Sequence, residues 1–196
     1  MPLALRAKLT KGAGLKPTPA RIWNQEFASG RWDYLANLAE MPRYAVIAGY
    51  HRTAPVNKTV LDVGCGIGLL QPWLQQAGYE RYLGIDLSAQ AIDQAKDRAD
   101  DKTRFEAAEA ESFVPPHSFD LIIFNEMLYY MVNAPAFLQR YSQYLNEGGA
   151  YIVSLWDCVE SVRVWNQCKA GLTVLDETRI VRTDLSWRVR LCRPAH

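Results

Sequence analysis

The run Val60-Leu61-Asp62-Val63-Gly64-Cys65-Gly66-Ile67-Gly68 sets three glycines directly behind a short apolar stretch. Glycine tolerates positive φ and lets a ligand approach the backbone closely. If a strand enters this turn and a helix leaves it, the free N–H groups and the positive helix end converge on one point, which suits a phosphate or a carboxylate. Asp86 follows about 20 residues later, where a carboxylate at the end of the next strand can accept hydrogen bonds from both hydroxyls of a ribose.

Spacing narrows the ligand. A dinucleotide fingerprint needs Gly-x-Gly-x-x-Gly, and its third glycine would fall where Leu69 stands; here the third glycine is Gly68. The Lys and Ser/Thr of a phosphate-loop nucleotide site are missing as well. A nucleotide-dependent oxidoreductase on a related fold is therefore disfavoured.

The elements needed to hold these residues are legible. Stretches 59–63, 81–85, 103–107, 119–124 and 150–155 read as strands, alternating with helices over 67–76, 89–99 and 135–145. Ser88 is placed to cap the second of these helices, and Gly148-Gly149 to close the third. The continuous apolar run at 119–124 fits a strand covered on both faces. After a further helix at 159–169, strands at 172–181 and 185–192 read as a hairpin. Repeated strand–helix units predict a doubly wound, Rossmann-like α/β fold, with a seven-stranded, mostly parallel sheet and an antiparallel last strand. The division expected is a basic tail over 1–18, an N-terminal helical lid over 19–56 and a binding domain over 57–196.

Ligands in such folds bind beyond the carboxyl ends of the strands. Asn125, Glu126, Tyr129 and Tyr130 follow the fourth strand, and Trp156 ends the fifth. Trp32 and Tyr34 belong to the aromatic N-terminal segment that could close over the same opening. Trp32, Tyr34, Tyr130 and Trp156 are the candidate substrate-binding residues. Glu126, Tyr129, Tyr130 and His51 are the candidate catalytic groups, since a hydroxyl acceptor would need a base within hydrogen-bond reach. The histidines and scattered cysteines form no recognisable metal cluster, so a metal-free reaction is expected.

The segments VLDVGCGIGLL, YLGIDLS, FEAAEAESF and FDLIIFNEMLYYM resemble, in order and spacing, the successive motifs of class I S-adenosylmethionine (SAM)-dependent methyltransferases. The resemblance implies that Gly64, Cys65, Gly66 and Gly68 line the methionine half of SAM and that Asp62 meets its amino group. It implies that Asp86, with Leu87 beside it, holds the ribose, and that Glu109 and Ala110 stand where the family usually carries an Asp and a backbone N–H for the adenine. Asn125 is implied beside the cofactor, and Arg43 resembles an arginine that reaches the SAM carboxylate in methyltransferases of ubiquinone biosynthesis. The product S-adenosylhomocysteine (SAH) would share the cleft. A shorter likeness, around Glu126-Met127-Leu128-Tyr129-Tyr130 and the compact final third, is to nodulation-factor N-methyltransferases.

The chain has 196 residues, with 22 Lys and Arg against 21 Asp and Glu. That balance argues against a nucleic-acid partner, as does Phe-Asn-Glu-Met where amino-methylating nucleic-acid enzymes carry Asn/Asp-Pro-Pro-Tyr. No apolar stretch is long enough to span a membrane. Four cysteines without a Cys-x-x-Cys pair, and no secretory signal, fit a cytoplasmic protein. The acceptor expected is a small molecule or a glycan, at oxygen or nitrogen. The alternative is a SAM-binding sensor or partner subunit without catalysis. The oligomeric state is not encoded in any motif.

Overall fold

The structure is a computed structural model that describes residues 18–53, 59–183 and 185–195. The basic stretch 1–17 lies outside the described residues. Seven strands form one sheet in the order β3-β2-β1-β4-β5-β7-β6. They are β1 (Thr59–Val63), β2 (Arg81–Asp86), β3 (Thr103–Ala107), β4 (Phe119–Asn125), β5 (Leu145–Trp156), β6 (Leu172–Val181) and β7 (Ser186–Pro194). Only β7 runs against the rest, pairing antiparallel with both β5 and β6. The expected architecture is thus borne out, including the antiparallel last strand.

β1 is buried at all five positions, because β2 and β4 flank it and helices cover both faces. Alternation sends Leu61, Val63, Ile122 and Phe124 into one hydrophobic cluster and Val60, Leu121 and Ile123 into the other. Two cores result, one on each side of the sheet.

Among the described residues six α-helices flank the sheet: α1 (Ala20–Ala28), α2 (Met41–Thr53), α3 (Gln71–Ala77), α4 (Ala89–Ala95), α5 (Ala134–Ser142) and α6 (Val159–Cys168). Ser88 caps α4 as expected, its side chain accepting from the Ala91 N–H. Two differences from the expectation have a visible cause in the glycines. The first crossover helix begins at Gln71 instead of 67, because Gly64, Gly66 and Gly68 all hold positive φ and turn the chain before it can wind. Gly148-Gly149 lie inside β5, not beyond a helix. The β4–β5 register shifts there, between Phe119 and Leu121, and a Cβ at Gly149 would meet the Asn146 carbonyl oxygen at 2.9 Å. These glycines serve a bulge.

α1, a 3-10 turn at Asp33–Ala36 and α2 precede the sheet. Asn24 ties α1 to the start of α4: its Oδ1 accepts from Ser88 Oγ at 2.8 Å and from the Gln90 N–H at 3.3 Å. Among the described residues, no helix is long and apolar enough to cross a membrane.

Candidate active site

A cavity of about 230 Å³ opens at the carboxyl ends of β1, β2 and β4. On one side stand the glycine loop, Asp86, Leu87, Glu109, Ala110 and Asn125. On the other stand aromatic and charged residues from the N-terminal segment, the loop after β4, and β7.

The glycine loop is built around the Asp86 carboxylate. Oδ2 accepts from the Gly66 N–H at 2.9 Å and Oδ1 from the Ser88 N–H at 2.8 Å. Each oxygen keeps a further lone pair, so both are fixed in direction and still able to accept. Burial pushes this carboxyl up, and the two backbone N–H groups oppose the push. Gly64 has φ +77, and a Cβ there would meet Met127 at 3.1 Å, so this wall of the cavity consists of bare backbone. Asn125 lines the cavity with a buried Oδ1 that lacks a hydrogen-bond partner. A carboxylate able to take a diol, an exposed backbone turn and an orphaned amide oxygen suit the ribose and amino-acid ends of SAM.

Two expected cofactor residues sit behind that wall. Asp62 is buried in β1 and does not line the cavity. Its Oδ2 accepts from Tyr82 Oη at 2.7 Å, and its Oδ1 has no hydrogen-bond partner. Gly68 also falls outside the lining; a Cβ there would press on Phe105 at 3.0 Å, so it serves helix-to-sheet packing.

On the opposite side, Glu126 has φ 60 and is the one non-glycine residue with positive φ among those described. Strain of this kind persists where surrounding contacts over-determine it. Here Oε2 accepts from Tyr129 Oη at 2.9 Å and from the Trp156 N–H at 3.1 Å. Oε1 accepts from Ser154 Oγ at 3.2 Å and lies 3.6 Å from Arg43 Nη1. Burial raises the Glu126 carboxyl, against the pull of Arg43, Tyr129 and Trp156. Arg43 is 2% exposed and also binds Glu40 Oε2 at 3.1 Å and Tyr44 Oη at 3.2 Å. The guanidinium is thereby shared between two carboxylates on the cavity wall.

Two candidate residues, His51 and Trp156, lie off the cavity, and two, Tyr129 and Glu126, stand on its wall. His51 is fully buried, does not line the cavity and bonds the Gly78 carbonyl through Nε2 at 2.9 Å, so it ties α2 to the end of α3. Trp156 contributes its backbone N–H to Glu126, while its ring is part of the core. Tyr129 lines the cavity, but its hydroxyl donates to Glu126 and burial pushes its phenol well up. Glu126 lines the cavity with both oxygens engaged. Trp32, Tyr34 and Tyr130 do line the cavity, joined by Trp23. Trp23 meets Tyr130 edge-on at 5.1 Å and Trp32 at 5.8 Å between ring centroids.

Sequence reasoning missed Glu40, Tyr44 and Trp187 as wall residues. Glu40 had a local signal, since its i,i+3 spacing to Arg43 predicts a pair on one helix turn. Trp187 had none. It reaches the cavity only because β7 pairs antiparallel with β5, in register with Trp156.

Residues 37–188 match the family model described as a methyltransferase domain. The N-methyltransferase NodS from Bradyrhizobium japonicum WM9, solved in complex with SAH, superposes with a TM-score of 0.73 at 18% identity, covering 99% of this chain and 98% of that one. The 1,6-didemethyltoxoflavin-N1-methyltransferase of Burkholderia thailandensis gives 0.72 at 19% identity, covering 100% of this chain and 91% of that one. The ubiquinone biosynthesis O-methyltransferase of Azoarcus sp. (strain BH72) is 35% identical over 102 residues, 50% of this chain and 43% of that protein. Phosphoethanolamine N-methyltransferase 1 of Arabidopsis thaliana is 32% identical over 99 residues, 48% of this chain and 20% of that protein. The chain therefore spans less than half the length of either of these two relatives. With the family model covering well over half of the sequence and the seven-stranded topology in agreement, the chain belongs to the methyltransferase domain family, whose class I members use SAM.

Proposed function

We propose that this protein transfers a methyl group from SAM to an oxygen or nitrogen atom of a small-molecule or glycan acceptor. The observation that carries this reading is the Asp86 carboxylate, held by the Gly66 and Ser88 N–H groups beside a glycine loop and opening on an aromatic cavity. Bound SAM would supply a methyl group already activated by its sulfonium. The chain's own task is then binding, alignment and exclusion of water. Asp86 would hold the ribose, with Leu87 beside it, and Glu109 and Ala110 would border the adenine. Gly64, Cys65, Gly66 and Asn125 would border the methionine half. Trp32, Tyr34 and Tyr130 would pack on the acceptor and keep solvent out. Relatives named for both O- and N-methylation support the broad acceptor class.

Calorimetric titration with SAM, SAH and NADH tests the reading. SAM and SAH should saturate the wild type. Asp86→Ala should weaken both by about tenfold or more, since two charge-assisted hydrogen bonds are lost. Absence of SAM binding, or a preference for NADH, would refute it.

A further inference from the structure

The two edges of the sheet differ. β3 closes one edge with five residues and exposes Arg104 and Glu106 there. Short, charged edges resist pairing with another chain. β6 closes the other edge with ten residues and leaves Val174, Leu175 and Val181 44%, 43% and 68% exposed. One side of β6 is paired with β7, and no strand lies beyond its other side among the described residues.

Alternation sorts β6 into two rows. Thr178 and Ile180 turn toward the core: Thr178 Oγ1 lies 2.8 Å from Tyr50 Oη in α2, and Ile180 packs on both hydrophobic clusters. Leu175, Glu177, Arg179 and Val181 form the other row, all four exposed. Leu175 stands at a bulge, since Val174 pairs with Cys192 and Asp176 with Leu191. Within the chain Glu177 meets Arg190 at 2.5 Å and Arg188 at 3.5 Å, and Arg179 meets Asp157 at 2.9 Å. The row reads apolar, acidic, basic, apolar, and turned end for end it is its own complement.

We propose that β6 is a self-association edge: two copies of this chain pair antiparallel through β6, about a two-fold axis at Thr178, into one continuous sheet. Thr178 then faces Thr178, Glu177 faces Arg179, and Leu175 faces Val181, the last two pairs occurring twice by symmetry. Opposite charges, apolar pairs and Thr–Thr pairs are the favourable cross-strand combinations. Moving the axis by one residue sets Glu177 on Glu177 or Arg179 on Arg179, so the charges fix the register. Both copies use the same patch, and the contact therefore closes at two. β6 runs parallel to β5, since β7 is antiparallel to both. Antiparallel copies thus point their cavities toward opposite ends of the joint sheet and leave both open.

Sedimentation velocity on the full chain should show a monomer–dimer equilibrium that moves to dimer as concentration rises. Leu175→Asp sets a carboxylate against Val181 twice per dimer and should weaken association by about tenfold or more. Its thermal unfolding, measured where both proteins are monomeric, should match the wild type. Cysteines test the register. Leu175→Cys combined with Val181→Cys should give a disulfide-linked dimer on mild oxidation. Neither single variant nor the wild type should link, because like positions lie about 20 Å apart along the paired strands. A protein that stays monomeric throughout overturns the proposal. So does a dimer that Leu175→Asp leaves intact, that the double cysteine variant fails to link, or that a single cysteine variant links as readily.

Discussion

Asp62 lies in the middle of β1 with β2 and β4 hydrogen-bonded on either side, and burial raises its carboxyl to about 7 against the pull of Tyr82. An acid raised in the fold binds more protons folded than unfolded. Its contribution to stability is therefore greatest below the unfolded value near 4 and is lost as pH rises toward 7. Asp62→Asn removes the buried charge and keeps an oxygen for Tyr82 Oη. In urea unfolding without ligand, the variant should gain on the wild type between pH 5 and pH 8, by about 2 kcal/mol. A gap that stays constant across this range would show that Asp62 is not raised. Asp86 is also pushed up by burial, but it lines the cavity and has two N–H donors on it. Two aspartates from neighbouring strands thus differ in setting: one lies beneath the loop and the other lines the cavity.

At the scale of elements, the N-terminal segment and the loop after β4 bring the acceptor side together. α1 is attached near Asp86 through Asn24, which takes hydrogen bonds from Ser88 and Gln90 at the head of α4. Ligand binding beside Asp86 and closure of α1 share that anchor. Asn24→Ala should raise amide hydrogen exchange across 20–36 by about tenfold without ligand, the effect of losing roughly 1–1.5 kcal/mol of hydrogen bonding. It should also weaken SAH several-fold. Unchanged exchange in the variant would mean that the aromatic contacts of Trp23, Phe27 and Trp32 hold α1 by themselves. Strand and helix types were legible from periodicity and glycine placement, and Ser88 from its residue type ahead of an apolar run. The late start of α3 was not, because three left-handed glycines in sequence override the helical pattern of the residues after them.

For the whole molecule, cofactor binding should act as a clamp between the sheet and the N-terminal helices, because the cavity wall draws on both. At a SAH concentration about 100 times its Kd, linkage adds roughly 2.7 kcal/mol to folding. For a chain of 196 residues this corresponds to a rise in Tm of about 5–10 °C, measurable by calorimetry. NADH at the same concentration should leave Tm within about 1 °C, since linkage requires binding to the folded state. A shift with NADH and none with SAH would contradict the site assignment at the level of the fold.

The sequence by itself determined the fold class, the glycine loop and its acidic partner, and through its motifs the methyltransferase resemblance. These are local features: glycine spacing, an apolar run before it and a carboxylate one strand later lie within about 30 residues, as in a single βαβ unit. Tertiary structure decided which groups face the cavity beyond that unit. It turned His51 toward Gly78, bound both oxygens of Glu126, and set Glu40 and Trp187 on the wall. The reason is that these positions depend on strand pairing and helix docking between distant segments. Side-chain type at one position carries no record of what the opposite strand will present.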